Sequence, residues 1–377
     1  MTTFAAEFPQ APGLRYLNHA AVAPWPQRAA TAVTEFARQN ATIGARDYPQ
    51  WLDIERRLRQ RLRTLLNAPS TADIALVKNT SEALSFVAFG LDWKPGDKVI
   101  ISDEEFPSNR VVWQALAPLG VEVVQVSLKG ECPEADLLAA CDASTRLMAI
   151  SAVQYASGLR LDLAELGRGC ERRGVLLCVD AIQQLGALAF DVQAIGCAFA
   201  MADGHKWLLG PEGLGVFYCR RDLREQLTLH EYGWHMLEHA GDYDRTDWEP
   251  ARSARRFECG SPNMLGAVAL ESSLSLLEEV GMPAVESALG QRTQALASGL
   301  ARLSGCQLLS PTDERRRSGI VCARFGSGDQ RPLFEQLTRA QVVCALRGGG
   351  IRFSPHFYTD ARVIEETIDE IARLTRG

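Results

Sequence analysis

The chain has 377 residues, which is long enough to bury a large hydrophobic core and favours two domains. Its net charge of −6 and pI near 5.7 argue against a polyanion-binding surface, so we expect no nucleic-acid partner. No apolar run approaches the ~20 residues that span a bilayer, and the first residues lack the basic and apolar regions of a signal peptide.

Ten cysteines are scattered along the chain without CxxC pairs or regular spacing. Disulfide frameworks and metal sites use paired or regularly spaced cysteines, so this pattern predicts reduced thiols that mostly fill core positions. Reduced thiols indicate a cytoplasmic protein.

The segment from about residue 70 to residue 220 alternates strand-like and helical patterns. The strand-like runs are DIALVK (73–78), KVIIS (98–102), VEVVQVSL (121–128), RLMAISAV (146–153), VLLCVD (175–180), CAFAMAD (197–203) and GLGVFYC (213–219). The helical runs include EALSFVAFGL (82–91), VVWQALAPLG (111–120) and LAELGRGCERRG (163–174). This alternation predicts βαβ units, a mostly parallel sheet and therefore an α/β fold.

The pattern changes after about residue 263. Long amphipathic helices, the strand-like run GIVCARF (319–325) and the terminal helical run ARVIEETIDEIARL (361–374) predict a smaller α+β unit.

Ligands of parallel α/β sheets bind at the carboxyl ends of the strands, so the residues that follow each strand are the candidates. Lys206 in such a place suits a Schiff-base lysine, and Asp180 suits a partner for a pyridinium nitrogen. The turn at 79–81 opens a helix whose N-terminus can bind a phosphate, and Phe106 offers a flat face to a ring. Each residue alone is equally well a cap, a turn or a core position, but together they indicate pyridoxal 5′-phosphate (PLP).

The whole pattern resembles the class V aminotransferase family of fold-type I PLP enzymes, which includes cysteine desulfurases, kynureninases and proteins like isopenicillin N epimerase. The segments that carry the resemblance are YLNHAAVAP (16–24), NTSEAL (79–84), EFPSN (105–109), QYASG (154–158), DAIQ (180–183), DGHKWLLGPEGLG (203–215), RFECGSPN (256–263) and IRFSPHFY (351–358). It implies a large domain with a mostly parallel seven-stranded sheet, a smaller α+β C-terminal domain, and a homodimer with active sites at the interface. The implied domains are an N-terminal segment (1–16), the PLP-binding domain (17–262) and the small domain (263–377).

The resemblance also implies roles for individual residues. Lys206 would form the internal aldimine and move the Cα proton, and Asp180 would bind the pyridinium nitrogen. The other implied cofactor-binding residues are Thr80, Ser81, Phe106, Gln183 and His205, with Gly260 and Ser261 touching the phosphate of the neighbouring subunit. The implied substrate-binding residues are Arg352 for the carboxylate, together with Asn18, His19 and Tyr155.

One departure from the desulfurases concerns the C-terminal region. Desulfurases carry a nucleophilic cysteine on a mobile loop between an arginine and the carboxylate-binding arginine. Here only four residues separate Arg347 from Arg352, which leaves no room for that loop, and Cys344 lies in an apolar run. Asp203 also stands where many relatives carry a phosphate-binding serine.

These observations predict a PLP enzyme that acts on a small amino acid or a derivative, by transamination or by Cα–Cβ or C–S lyase chemistry. Epimerisation, a persulfide-forming desulfurase reaction and a catalytically silent regulatory protein are the alternatives. We expect no metal, although His235 and His239 would share a face if residues 230–239 formed a helix. A loop lining the substrate entrance is the preferred interpretation of that segment.

Overall fold

The computed structural model describes residues 2–376. The strands, numbered in chain order, are β1 (Arg15–Tyr16), β2 (Ile74–Val77), β3 (Lys98–Ser102), β4 (Glu122–Val126), β5 (Thr145–Ser151), β6 (Leu176–Asp180), β7 (Phe199–Asp203), β8 (Gly215–Cys219), β9 (Cys306–Leu308), β10 (Val321–Phe325), β11 (Val342–Val343), β12 (Ala345–Arg347) and β13 (Gly350–Phe353). The helices are α1 (Gln27–Ile43), α2 (Tyr48–Leu66), α3 (Thr80–Gly90), α4 (Ser108–Gln114), α5 (Pro133–Ala139), α6 (Leu163–Glu171), α7 (Val192–Ile195), α8 (Met264–Val280), α9 (Met282–Ala301), α10 (Arg331–Arg339) and α11 (Ala361–Thr375).

A central sheet contains seven strands among the described residues, in the order β2-β8-β7-β6-β5-β3-β4. The pairs from β7 through β4 are parallel, whereas β8 runs antiparallel to both of its neighbours, β2 and β7. Strand β2 therefore points the same way as β7, and the carboxyl ends of β2, β3, β5, β6 and β7 meet at one edge. The predicted mostly parallel α/β sheet is confirmed.

Each face of this sheet packs against its own hydrophobic core. Leu58, Leu62 and Leu66, spaced four residues apart along α2, are buried on one face together with residues of α6 and α8. Residues of α3 and α4, including the fully buried Trp113, cover the other face. Strands that are buried on both faces read as continuous apolar runs, as the sequence shows.

The predicted helix over 111–120 is shorter and starts earlier than the sequence pattern suggests. Helix α4 spans Ser108–Gln114, and a short 3-10 turn follows at Ala117–Leu119. Pro118 has no N–H to donate to the carbonyl of Gln114, so the α-helix does not continue through it.

A second, four-stranded antiparallel sheet has the order β12-β13-β10-β9. Residues of α9 and α11 share a hydrophobic core with it, and that core also takes in Leu17 from the N-terminal segment. Strand β1 pairs with β11, so the two ends of the chain pack together. Helix α8 begins just after residue 263, where the small domain was predicted to start, and it packs on α1 and α2. The three predicted domain ranges stay predictions.

Every one of the ten cysteines lies within the described residues and has a free thiol, and most are buried. Over the same residues, no helix is both long and apolar enough to cross a membrane.

Candidate active site

The strand ends that meet at one edge of the central sheet open on a cavity of about 280 Å³. This volume is near the lower end of the roughly 300–1,000 Å³ typical of small-ligand pockets. The predicted site residues on its wall are Thr80, Ser81, Phe106, Tyr155, Asp180, Gln183, His205, Lys206 and Arg352. We call this space the Lys206 cavity.

Lys206 and Asp180 are two of the buried titratable groups on this wall. Lys206 follows β7 and is 9% exposed, and Asp180 ends β6 and is 2% exposed. Burial lowers the pKa of the Lys206 amine, an effect that the nearby Asp180 partly opposes. Burial likewise raises the pKa of Asp180, although the N–H of Ile182 donates to its Oδ1 at 3.0 Å. A lowered pKa makes the amine a better nucleophile, and a cation beside Asp180 would stabilise its charged form.

The N-terminus of α3 provides the anion-binding part of the wall. Asn79 caps this helix, since its side-chain oxygen accepts the N–H of Glu82 at 2.9 Å. The hydroxyl of Thr80 is buried, and within residues 2–376 it has no hydrogen-bond partner. Ser81 Oγ donates to Ser108 Oγ at 2.9 Å. Free N–H groups at a helix N-terminus beside an unpartnered hydroxyl suit a phosphate.

His205 and Asp203 lie together next to Lys206. Nδ1 of His205 is 3.2 Å from Oδ1 of Asp203, so the carboxylate faces the imidazole. The Asp203 carboxylate therefore lies beside the His205 ring, although within residues 2–376 neither of these two atoms has a hydrogen-bond partner.

The amide of Gln183 has one fixed orientation. The indole N–H of Trp207 donates to its Oε1 at 2.9 Å, and its Nε2 donates to the carbonyl of Ala20 at 3.0 Å. An indole N–H only donates and a carbonyl only accepts, so both contacts require the same orientation. The second N–H of Nε2 is then left for an oxygen inside the cavity.

Two aromatic rings form the flat part of the wall. The Phe106 and Tyr155 rings meet edge to face, with centroids 5.2 Å apart. Nζ of Lys206 lies 5.7 Å from the centroid of Phe106. Phe106 is 40% exposed, so an apolar face remains uncovered at the cavity, as a site for a planar ring requires.

Arg352 on β13 is buried, although it carries a charge that burial disfavours. Its Nη1 donates to the carbonyl of Tyr155 at 2.7 Å, and within residues 2–376 its Nε has no hydrogen-bond partner. Burial, followed by the nearby charge of Arg347, lowers the pKa of Arg352 to about 10. A buried guanidinium without a carboxylate partner suits an anionic ligand.

The motif at 16–24 contributes different residues from those predicted. Ala20, Ala21 and Val22 line the Lys206 cavity, whereas Asn18 and His19 are absent from its wall over the described residues. His19 is fully buried, with Nδ1 2.8 Å from the Ser354 carbonyl and Nε2 2.6 Å from the Tyr358 hydroxyl. Asn18 forms an isolated bridge with Ser354. The structure does not bring these two side chains to the cavity, and their substrate-binding role stays a prediction.

Gly260 and Ser261 are also placed elsewhere. They line a separate cavity of about 170 Å³ together with Glu231 and Cys259. Their predicted contact with the phosphate of a neighbouring subunit stays a prediction.

Glu105 is a residue of the site region to which the sequence analysis gave no role. Its buried carboxylate accepts hydrogen bonds from the Ser151 N–H at 3.0 Å, Ser102 Oγ at 2.8 Å and Asn109 Nδ2 at 2.8 Å. It thereby ties the ends of β3 and β5 together, and Ser151 lies on the cavity wall. In the sequence, only its position soon after β3 indicated that Glu105 lies near the site.

The segment at 230–239 forms turns and extended chain instead of a helix, so His235 and His239 share no helix face. Within residues 2–376, none of the segment lines the Lys206 cavity. His235 instead groups with Glu55 and Glu258, with one potential ligand atom from each within 4.8 Å of the others. Arg59 already donates to both carboxylates, at 2.6 Å in each case, and so supplies the positive charge there.

Comparisons with known proteins agree with this geometry. The family model for class V aminotransferases matches residues 15–356. A probable cysteine desulfurase of Methanothermobacter thermautotrophicus is 30% identical over 386 aligned residues, which cover 95% of each chain. The chain belongs to the class V aminotransferase family.

Two solved structures of the cystine C–S lyase C-DES have the same fold as this chain. One is a variant with glycine covalently linked to its PLP cofactor, with a TM-score of 0.89 and 24% identity over 97% of this chain and 98% of that one. The other is the complex of this cystine C–S lyase with its product cysteine persulfide, with a TM-score of 0.88 and 24% identity over 97% of this chain and 99% of that one. The expected fold type I is confirmed.

Family membership makes this chain a PLP-dependent enzyme, as the sequence predicts. The Lys206 cavity fits that cofactor by its own chemistry. It offers the buried amine of Lys206, and the carboxylate of Asp180, whose charged form burial destabilises. It also offers the buried hydroxyl of Thr80 at a helix N-terminus, which has no hydrogen-bond partner within residues 2–376. Each of these groups has a matching group on PLP: the aldehyde, the pyridine nitrogen and the phosphate.

Proposed function

We propose that this enzyme cleaves the C–S bond of a small sulfur-bearing amino acid and releases the sulfur directly, without a persulfide on the protein. The observation that carries the proposal is the short connection between β12 and β13. Gly348 and Gly349 alone join the two strands, so the hairpin has no loop on which a cysteine could move. The similarity to a probable cysteine desulfurase and to a cystine C–S lyase supports sulfur chemistry.

The thiols near the hairpin support a reaction without a protein persulfide. Burial raises the pKa of Cys344 to about 12 and that of Cys322 to about 11. A buried thiol with a raised pKa is a poor nucleophile, since the thiolate is the reactive form. Among the described residues, the wall of the Lys206 cavity includes no cysteine.

The residues of the cavity have distinct proposed roles. When bound, PLP withdraws electrons from the bonds at the substrate Cα. Arg352 holds the α-carboxylate, and Asp180 holds the protonated ring nitrogen. Lys206 Nζ takes the proton from Cα, and the electron pair of that bond allows the Cβ–S bond to break, with its own pair leaving on sulfur. The remaining 2-aminoacrylate is hydrolysed by water to pyruvate and ammonia.

The test is a set of assays on the purified protein with PLP, using cysteine, cystine and S-alkyl cysteines as substrates. C–S cleavage predicts pyruvate, ammonia and a sulfur product in equal amounts, with no added mass on the protein. Keto acid without ammonia in the presence of a second keto acid would indicate transamination, and loss of optical activity alone would indicate epimerisation. A stoichiometric persulfide on Cys344 or Cys259, detected by mass spectrometry, would restore the desulfurase reaction with a protein nucleophile.

We also propose a cytoplasmic homodimer. The separate cavity around Gly260 and Ser261 supports this, because it is the place where the family resemblance puts contacts to a neighbouring subunit. Sedimentation equilibrium with PLP bound would test it, and a monomer with full activity would contradict an active site shared between subunits.

A further inference from the structure

The wall of the Lys206 cavity contains a second arginine, Arg347, whose position is set by the β12–β13 hairpin. In the antiparallel register Ala345 pairs with Arg352 and Arg347 pairs with Gly350. Side chains alternate between the two faces of a strand, so Arg347 lies on the same face as Ala345 and therefore on the same face as Arg352. Such diagonal neighbours have backbones roughly 7–8 Å apart, which is within reach of long side chains.

The turn between the two strands is short and packs against a neighbouring segment. Gly348 and Gly349 both have positive φ, at 57° and 75°, a geometry that glycine adopts without strain. A Cβ added at Gly348 would lie 3.1 Å from Cβ of Ala156, so the turn also packs against the QYASG segment. The two arginines are held in one register beside the cavity.

Among the described residues neither guanidinium is matched by a protein carboxylate; Arg352 is buried, whereas Arg347 is exposed to solvent and free to take an anion. Arg352 donates to the Tyr155 carbonyl, and Arg347 Nη1 donates at 2.8 Å to the carbonyl of Leu346. Across residues 2–376, no ion pair within 4.0 Å involves either of them. Both lie on the same cavity wall as Lys206, and their charges contribute to the lowered pKa of that amine. One monocarboxylate substrate would satisfy only one of these two positive groups.

We propose that Arg347 binds a second carboxylate, on the far side of the substrate's sulfur, so that the enzyme selects dicarboxylic sulfur-bearing amino acids. The proposal rests on the proposed function, with Arg352 holding the α-carboxylate. A guanidinium binds both oxygens of a carboxylate in a fixed geometry, so two arginines in a fixed register distinguish substrates by the distance between their acidic ends. The anion-binding groups for the cofactor phosphate belong to a different part of the wall, at Thr80 and the N-terminus of α3.

The test is calorimetric titration of the PLP-bound protein with unreactive acids. Glutarate, adipate and pimelate carry two carboxylates, and valerate serves as the monocarboxylate probe. We expect the best diacid to bind about 10–100-fold more tightly than valerate, as one additional charge-assisted pair allows. Arg347→Gln should remove this preference and leave the affinity for valerate unchanged.

Arg324→Gln is the matched control. Arg324 contacts the same turn, since its Nε donates to the Gly349 carbonyl at 3.1 Å, but among the described residues it does not lie on the wall of the Lys206 cavity. This variant should keep the diacid preference. Equal affinities of the wild type for diacids and valerate would overturn the proposal, and so would an Arg347→Gln variant that loses PLP or valerate affinity to the same extent.

A kinetic measurement separates this proposal from the proposed function. We expect S-carboxymethylcysteine to be cleaved with a kcat/KM at least about 10-fold above that of S-ethylcysteine, mainly through KM, and Arg347→Gln to equalise the two. The binding measurement needs no turnover. A preference for diacids without any C–S cleavage would therefore support the carboxylate-binding role of Arg347 and contradict only the proposed C–S cleavage reaction. Cleavage of both substrates with equal kcat/KM would contradict the role of Arg347 alone.

Discussion

Lys206 is buried, so its charged amine has an unfavourable desolvation free energy, which a covalent bond to the nitrogen would remove. Burial lowers its pKa, and Asp180, which opposes this more than Asp203 does, is itself destabilised as an anion by burial. The two groups therefore only partly stabilise one another in the protein alone. A covalent bond to the Lys206 amine and a cation beside the Asp180 carboxylate would together offset the desolvation free energies of both groups.

Lys206→Ala should lower turnover by at least about 100-fold, because the group proposed to move the Cα proton is lost. Borohydride should no longer fix PLP to the protein, which peptide mass spectrometry can measure. Lys98→Ala is the control, since Lys98 pairs with Asp142 at 2.7 Å at the opposite edge of the sheet and should keep both properties. A borohydride-stable adduct on another lysine of the Lys206→Ala variant would contradict the assignment.

Trp207 acts on the site through Gln183 and is a positioning residue. Trp207→Phe removes the indole N–H that fixes the amide, so Gln183 can rotate and present Oε1 to the cavity instead of an N–H. We expect a changed pH midpoint in the visible absorbance of bound PLP and about a 10-fold loss of turnover, an order consistent with one mispositioned polar contact.

The control for this effect is Trp93→Phe. The indole N–H of Trp93 donates to the carbonyl of Ala88 at 2.6 Å, and this tryptophan is absent from the cavity wall over residues 2–376. It should lower stability without shifting the absorbance midpoint. If Trp207→Phe changes stability but leaves the midpoint in place, Trp207 is only a packing residue.

At the scale of elements, helix α3 links stability to cofactor binding through its cap. Asn79→Ala removes the acceptor for the Glu82 N–H and should lower the free energy of unfolding by about 0.5–2 kcal/mol. It should also weaken PLP binding, because Thr80 and the free N–H groups of the first turn lose their fixed geometry. Denaturant unfolding and PLP titration measure the two effects.

Asp360→Ala provides a comparison at another capped helix. Asp360 caps α11 by accepting the Arg362 N–H, and among the described residues neither of the two lies on the wall of the Lys206 cavity. It should show a similar loss of stability with unchanged PLP affinity. Equal losses of PLP affinity in both variants would mean that the effect comes from general destabilisation.

The strands were predictable because both faces of the sheet are buried, which produces continuous apolar runs such as KVIIS at β3. The residues after these strands were predictable for the same reason, since parallel topology places them at one edge. Asn18 and His19 were not, because a motif does not say which of its side chains faces inward. Gln183 was found by resemblance, whereas its fixed orientation by Trp207 depends on a contact that only the folded chain shows.

At the scale of the whole molecule, His19 joins the two ends of the chain. Its ring lies between the carbonyl of Ser354 and the hydroxyl of Tyr358, and it is completely buried. A carbonyl accepts only, so Nδ1 carries the proton and Nε2 accepts from the hydroxyl, which is the neutral form of the imidazole. Protonation at Nε2 would reverse this hydrogen bond, with the hydroxyl as the acceptor, and would bury a charge.

This arrangement predicts that acid weakens the folded state through His19. Burial lowers its pKa from the ordinary value of 6.5 to about 4, so between these values the unfolded chain binds more protons and stability rises with pH. The contribution of His19 is complete above pH 6.5 and is lost as the pH falls to about 4, by on the order of 3 kcal/mol. His356, whose pKa burial also lowers, adds to this loss, whereas the raised pKa of Asp180 opposes it.

A His19→Asn variant isolates the contribution of His19, because asparagine can still donate to the Ser354 carbonyl but does not titrate. Urea unfolding of the wild type and the variant without PLP, from pH 4 to pH 7, gives two stability curves. Titrating groups away from His19 affect both curves alike, so the difference reports His19 together with its effect on the neighbouring His356, whose ring centroid lies 5.2 Å away. The wild type should be the more stable protein at pH 7 and lose that advantage toward pH 4, whereas two parallel curves would show that His19 keeps an ordinary pKa in the folded protein.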